Sequence, residues 1–78
     1  MLPEAVDREL NREPFVPLRL HLSDGTTLDI DNPGLTFIAR GALYVARTDR
    51  PNTRIMDDFR LVSLRHIVRL ELIEPSAA

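Results

Sequence analysis

The sequence predicts a mostly β protein: a short N-terminal helix followed by a five-stranded, strongly bent antiparallel sheet that closes into a small barrel. Three observations predict it. After residue 17 apolar and polar residues alternate through most of the chain, the period of a half-buried strand. Turn signals separate the runs too closely for parallel crossovers, so neighbouring strands are antiparallel. The longest strand-like run, residues 59 to 73, is too long to lie straight in a 78-residue domain.

Residues 3 to 12, "PEAVDRELNR", form the expected helix. Pro3 suits its first turn, Glu4 its positive end, and Leu2, Val6 and Leu10 make one apolar stripe. Glu4 and Arg8 are spaced to pair. Pro14 and Pro17 end the helix and force extended chain before them. The barrel is expected over 17–73. "PLRLHLSDG" places Leu18, Leu20 and Leu22 on one face and Arg19, His21 and Ser23 on the other. Asp24-Gly25 is a hairpin turn. "TTLDID" follows with Leu28 and Ile30 inward, and Asn32-Pro33-Gly34 breaks it. "LTFIAR" and "ALYVART", separated by Gly41, are two strands or one hairpin arm around a bulge. Residues 49 to 54 are a polar loop. "FRLVSLRH" and "IVRLELI" complete the sheet, and 74–78 is a frayed tail of this single domain.

In the last run the aliphatic series Val62, Leu64, Val68, Leu70, Leu72 has one hole, filled by His66. A straight strand over 59–73 would span roughly 50 Å, too wide for so small a domain. The run must bend, and Arg65-His66 is the expected corner. A small sheet with one apolar face closes most economically into a barrel, the SH3-like or Sm-like architecture.

Composition bounds the function. The net charge of −2 argues against strong, sequence-independent nucleic-acid binding. All ten basic residues are arginine; bidentate phosphate contact is the functional reading, and codon bias the simpler one. There is no cysteine, and two histidines are too few for a His-based structural zinc site. No apolar run reaches the roughly 20 residues of a membrane span, and no signal peptide is visible, so a cytoplasmic protein is expected. A core this modest points to self-association as a further source of stability.

Candidate chemistry is sparse. Asp29-x-Asp31-x-x-Gly34 hints at a calcium loop, but Pro33 and Arg40 stand where ligands belong. The acidic pairs Asp57-Asp58 and Glu71/Glu74 come with no nucleophile, base or oxyanion site, so no enzyme, cofactor or metal is expected. His21 reads as an exposed side chain beside Arg19. His66, in phase with the core face, reads as a bend residue bonded to backbone or as a recognition residue at a corner.

Several short motifs resemble the bacterial Sm-like RNA-chaperone family, Hfq. Val16-Pro17 leads from helix to first strand, Asp24-Gly25 ends that strand, and Arg65-His66-Ile67 opens the last one. The resemblance implies an Sm-like barrel in a homo-oligomeric ring, with strand-edge pairing between subunits. It also implies single-stranded, uridine-rich RNA bound at a central pore by Arg65 and His66, with Phe37 stacking a base. Of the family's arginine-rich rim only Arg12 remains, beside Glu13, Pro14 and Phe15; Ile30 replaces a family glycine, and "NPGLTF" replaces its Phe-Asp signature. The opening "PFxPxxxHLxDG" is also similar to a group of small uncharacterised bacterial proteins. The reading that needs no resemblance is an SH3-like protein-interaction or assembly module with no nucleic-acid ligand.

Overall fold

The computed structural model describes residues 1–73; the tail expected at 74–78, with Glu74, lies outside them. The chain folds as one helix and six strands: α1 Pro3–Leu10, β1 Leu18–Leu22, β2 Thr27–Ile30, β3 Thr36–Ala39, β4 Ala42–Arg47, β5 Asp58–Ser63 and β6 Ile67–Leu72. The strands form two three-stranded antiparallel sheets, ordered β2-β1-β6 and β3-β4-β5. This corrects the expected single five-stranded sheet. The chain changes sheets twice, each time through a 3-10 turn: Pro33–Leu35 between β2 and β3, and Leu64–His66 between β5 and β6. Each turn breaks the ladder, because its backbone dihedrals are incompatible with strand pairing. No helix among the described residues is long and apolar enough to cross a membrane.

The helix begins at Pro3 as expected and stops at Leu10, two residues early. Arg12 folds back on Glu9, with Nη2 2.8 Å from Oε1, and this pair forms rather than Glu4–Arg8. Val6 is fully buried, whereas Leu2 is 71% exposed, so the expected stripe narrows to Val6 and Leu10.

Both hairpin turns follow from local sequence. Asp24 Oδ1 accepts the Thr26 backbone N–H at 2.9 Å and the Thr26 hydroxyl at 2.6 Å, closing the turn between β1 and β2. Between β3 and β4, Arg40 (φ 52°) and Gly41 (φ 73°) both adopt left-handed conformations, the requirement of a two-residue hairpin turn. Residues 35–48 are therefore two paired strands, with Phe37 opposite Tyr44, not one bulged arm.

The core lies between the sheets. Leu18, Leu20, Ile30 and Ile67 come from one, Leu43 and Val45 from the other, and Val6 of α1 and Leu64 of the second 3-10 turn complete the cluster. The longest dimension is 36 Å, so the 59–73 run does bend, and it bends at Arg65-His66. The phase changes there. In a 3-10 turn positions i and i+3 eclipse, so Leu64 and Ile67 both point inward while Arg65 and His66 are exposed. His66 therefore leaves the core face that simple alternation assigned to it. A second irregularity follows: Leu22 faces Ile67 but His21 faces Arg69. Val68 is the extra residue of a bulge and is 62% exposed.

Candidate functional site

Two regions carry features beyond packing. The first is the corner. The 3-10 turn sets His66 against the β1–β2 turn, where its carbonyl accepts the Ser23 backbone N–H at 2.8 Å and its Nδ1 lies 3.0 Å from Ser23 Oγ. A cleft of about 320 Å³ opens here, lined by Leu22, Ser23, Asp24, Leu61, Val62 and His66. Arg65 is exposed beside it. The Asp24 carboxyl is held below the usual range, first by the Thr26 hydroxyl, then by the Thr26 N–H, with a smaller contribution from the charge of His66.

The Ser23–His66 contact has the residue types of a nucleophile and a base. A triad needs a carboxylate orienting the imidazole, and Asp24 gives its Oδ1 to Thr26 instead. The corner is a small cleft with aliphatic walls from Leu22, Leu61 and Val62 and a polar side formed by Ser23, Asp24 and His66.

The sequence-selected residues do not gather in one place within a chain. Arg65 and His66 share the corner. Phe37 lies on β3, two strands across the second sheet from Leu61 of the cleft wall. Arg12 sits just beyond α1, paired with Glu9.

The second region is the outer face of β3-β4-β5. The registers align Phe37, Tyr44 and Leu61 in one row, and Phe59 sits diagonally beside Tyr44, with ring centroids 5.7 Å apart. Phe37 and Phe59 are each 56% exposed and Leu61 is 61% exposed. Three of the chain's four aromatic residues, Phe37, Tyr44 and Phe59, lie on this face. Only Phe37 was singled out by sequence. The missed signal was in and just after β5, where Phe59 and Leu61 share one parity and Val62 and Leu64 the other, so both faces of the run are apolar.

The outer face of β2-β1-β6 is different. Arg19 holds both oxygens of Asp29, at 2.9 and 3.2 Å, so this carboxylate is committed to an ion pair. Its pKa is lowered by that hydrogen bond, and the Arg19 pKa is raised by the same contact. His21 Nε2 lies 2.8 Å from Glu71 Oε1 and 2.9 Å from Arg69 Nη2. One ring nitrogen serves one partner at a time: protonated it donates to Glu71, deprotonated it accepts from Arg69. The hydrogen bond from His21 lowers the Glu71 pKa. Compared with known protein families, curated proteins and solved structures, the chain matches none.

Proposed function

We propose that the chain is a small SH3-like protein-interaction module whose binding surface is the outer face and outer edge of β3-β4-β5. The carrying observation is the Phe37–Tyr44–Leu61 row with Phe59 beside it. A solvated sheet face normally carries polar side chains, and a clustered apolar patch with aromatics marks a contact surface. Two three-stranded antiparallel sheets stacked on one core are compatible with an SH3-like arrangement. The reading keeps the cytoplasmic placement expected from the sequence and assigns no catalytic role.

The test is selection of strand-forming peptides from a displayed library on the immobilised protein, followed by NMR titration of the ¹⁵N-labelled chain. Binding peptides should shift the amides of Phe37, Tyr44 and residues 59 to 61. Peptides that bind only elsewhere, or none at all, would end this reading.

One observation favours a second reading, the Hfq-like one: Arg65 and His66 are exposed side by side at the rim of the corner cleft. Repeated around a ring, they would concentrate charge and hydrogen-bond donors for a uridine-rich strand. Oligouridine anisotropy at low salt tests it: binding lost in an Arg65→Ala/His66→Ala variant supports RNA, and no binding by the unaltered protein removes it.

A further inference from the structure

The outer edge of β5 is the part of the proposed interaction surface with the most specific chemistry. β5 is a terminal strand of its sheet, so one side of its backbone has no neighbouring strand among the described residues. The Phe59 N–H points away from β4 and donates to Asp58 Oδ1 at 2.9 Å. Asp58 Oδ2 also lies 3.3 Å from Arg60 Nε. Two opposite charges, two residues apart on one face of an edge strand, thus flank an exposed phenylalanine whose N–H faces outward.

That arrangement is complementary to itself. In an antiparallel pair the residues directly opposite share a face. A two-fold axis centred on Phe59 sets Phe59 opposite Phe59 of a second copy, Asp58 opposite its Arg60, and Arg60 opposite its Asp58. Because the Phe59 N–H points outward, the Phe59 pair is the hydrogen-bonded one, exchanging two N–H···O=C bonds. The flanking positions are then the closer, non-hydrogen-bonded pairs, where opposite charges gain most. Neighbouring registers are worse. Centring on Arg60 sets Arg60 against Arg60, and centring on Leu61 sets Arg60 against Val62 and leaves Asp58 without an opposing charge.

We infer that two copies of this chain join through antiparallel β5–β5 pairing centred on Phe59, making a continuous six-stranded sheet with both aromatic faces on one side. The inference rests on the reading of β3-β4-β5 as a protein-binding surface and adds the partner and the register. The assembly is an isologous dimer, which closes on itself, unlike a ring built by pairing two different edges. In the dimer Asp58 exchanges its local contact with the Phe59 N–H for Arg60 of the second copy.

Charge reversal tests the register. Asp58→Arg leaves two arginines on the strand and Arg60→Asp leaves two aspartates, so each variant alone opposes like charges. Mixed one to one, they restore opposite charges at both positions. Sedimentation equilibrium should show a dimer for the unaltered protein. It should show dissociation constants raised by at least about tenfold for each variant alone and a heterodimer in the mixture. Circular dichroism on each variant confirms that it is folded.

A monomer at every concentration tested overturns the inference, with Asp58 then acting as a plug on the strand edge. A larger ring overturns it as well, and so do folded variants that fail to combine when mixed. Peptide titration of the folded Asp58→Arg chain is read separately. Retained binding at Phe37 and Tyr44 keeps the module reading alive if the dimer fails, and lost peptide binding by a dimeric protein does the reverse.

Discussion

On the outer face of β2-β1-β6 the charges answer one another across strands: Arg19 with Asp29, His21 with Glu71 and Arg69. On the outer face of β3-β4-β5 the corresponding positions hold Phe37, Tyr44, Phe59 and Leu61. Both sheets bury their other face in the same core. The first sheet follows the alternation of a surface strand, leucine inward and charge outward, and is complete when its inner face is covered. The second is apolar on both sides, so folding covers only half of what it offers. A shared core therefore coexists with outer faces of opposite character, one charged and paired, the other apolar and exposed.

The largest effects should come where the sheets are alike. Leu20→Ala in the first sheet and Leu43→Ala in the second each empty a fully buried position and should each cost about 2–5 kcal/mol. Urea unfolding measures this. A cost under about 1 kcal/mol for only one of them would show a core not shared between the sheets.

Next come the outer faces, where the sheets should part. Leu61→Ser and Phe37→Ser should change stability by no more than about 0.5 kcal/mol and weaken selected peptides by about tenfold or more. Arg19→Ala on the opposite sheet should leave peptide affinity unchanged in the same titration. Equal loss from both faces would erase the distinction.

The smallest effect is acid sensitivity. Asp24, Asp29 and Glu71 have carboxyl pKa values lowered by folding. Such groups contribute stability that is present above their unfolded pKa and lost as pH falls through the folded one. Asp29→Asn and Glu71→Gln should each lower the melting temperature slightly at pH 7, where the contribution is present, and meet the unaltered protein below about pH 4, which flattens the acid limb. An unchanged acid limb would mean that these exposed pairs add nothing.

Much of the first sheet was legible in the sequence, and less of the second. "LRLHL" has one apolar parity, so its inward face is fixed by local pattern alone. Asp24-Gly25 and Gly41 mark their turns by backbone chemistry, and the bend at Arg65-His66 follows from length. In "DFRLVS" both parities carry apolar residues, and which one meets the core depends on strands far away in the chain. The division into two sheets was hidden for the same reason: Asn32-Pro33-Gly34 marks a break, but whether the strand after it pairs in the same sheet depends on partners far away in the chain. The bulge at Val68 was hidden because a valine suits a core strand, and only pairing with β1 shows it to be extra. The candidate site divides similarly. Arg65 and His66 were placed at a corner correctly, while the aromatic row depends on register across three strands.

The Leu64–His66 turn is held at both ends by distant partners. Leu64 N–H donates to the Gly41 carbonyl at 2.9 Å, and the His66 carbonyl accepts from Ser23 at 2.8 Å. This gives the molecule an order of assembly. The β1–β2 and β3–β4 hairpins close over a few residues and can form early, at low loop-closure cost. Strand β6 must return to β1 across about fifty intervening residues, Arg19 meeting Glu71, and the latch at residues 64–66 forms with it. Contacts so far apart in sequence slow folding. Until they form, β1 has a bare edge and Leu18 and Leu20 lack their cover. Pulsed hydrogen exchange during refolding should find the β1–β2 amides protected before those of β6. Simultaneous protection would mean that the latch nucleates the fold.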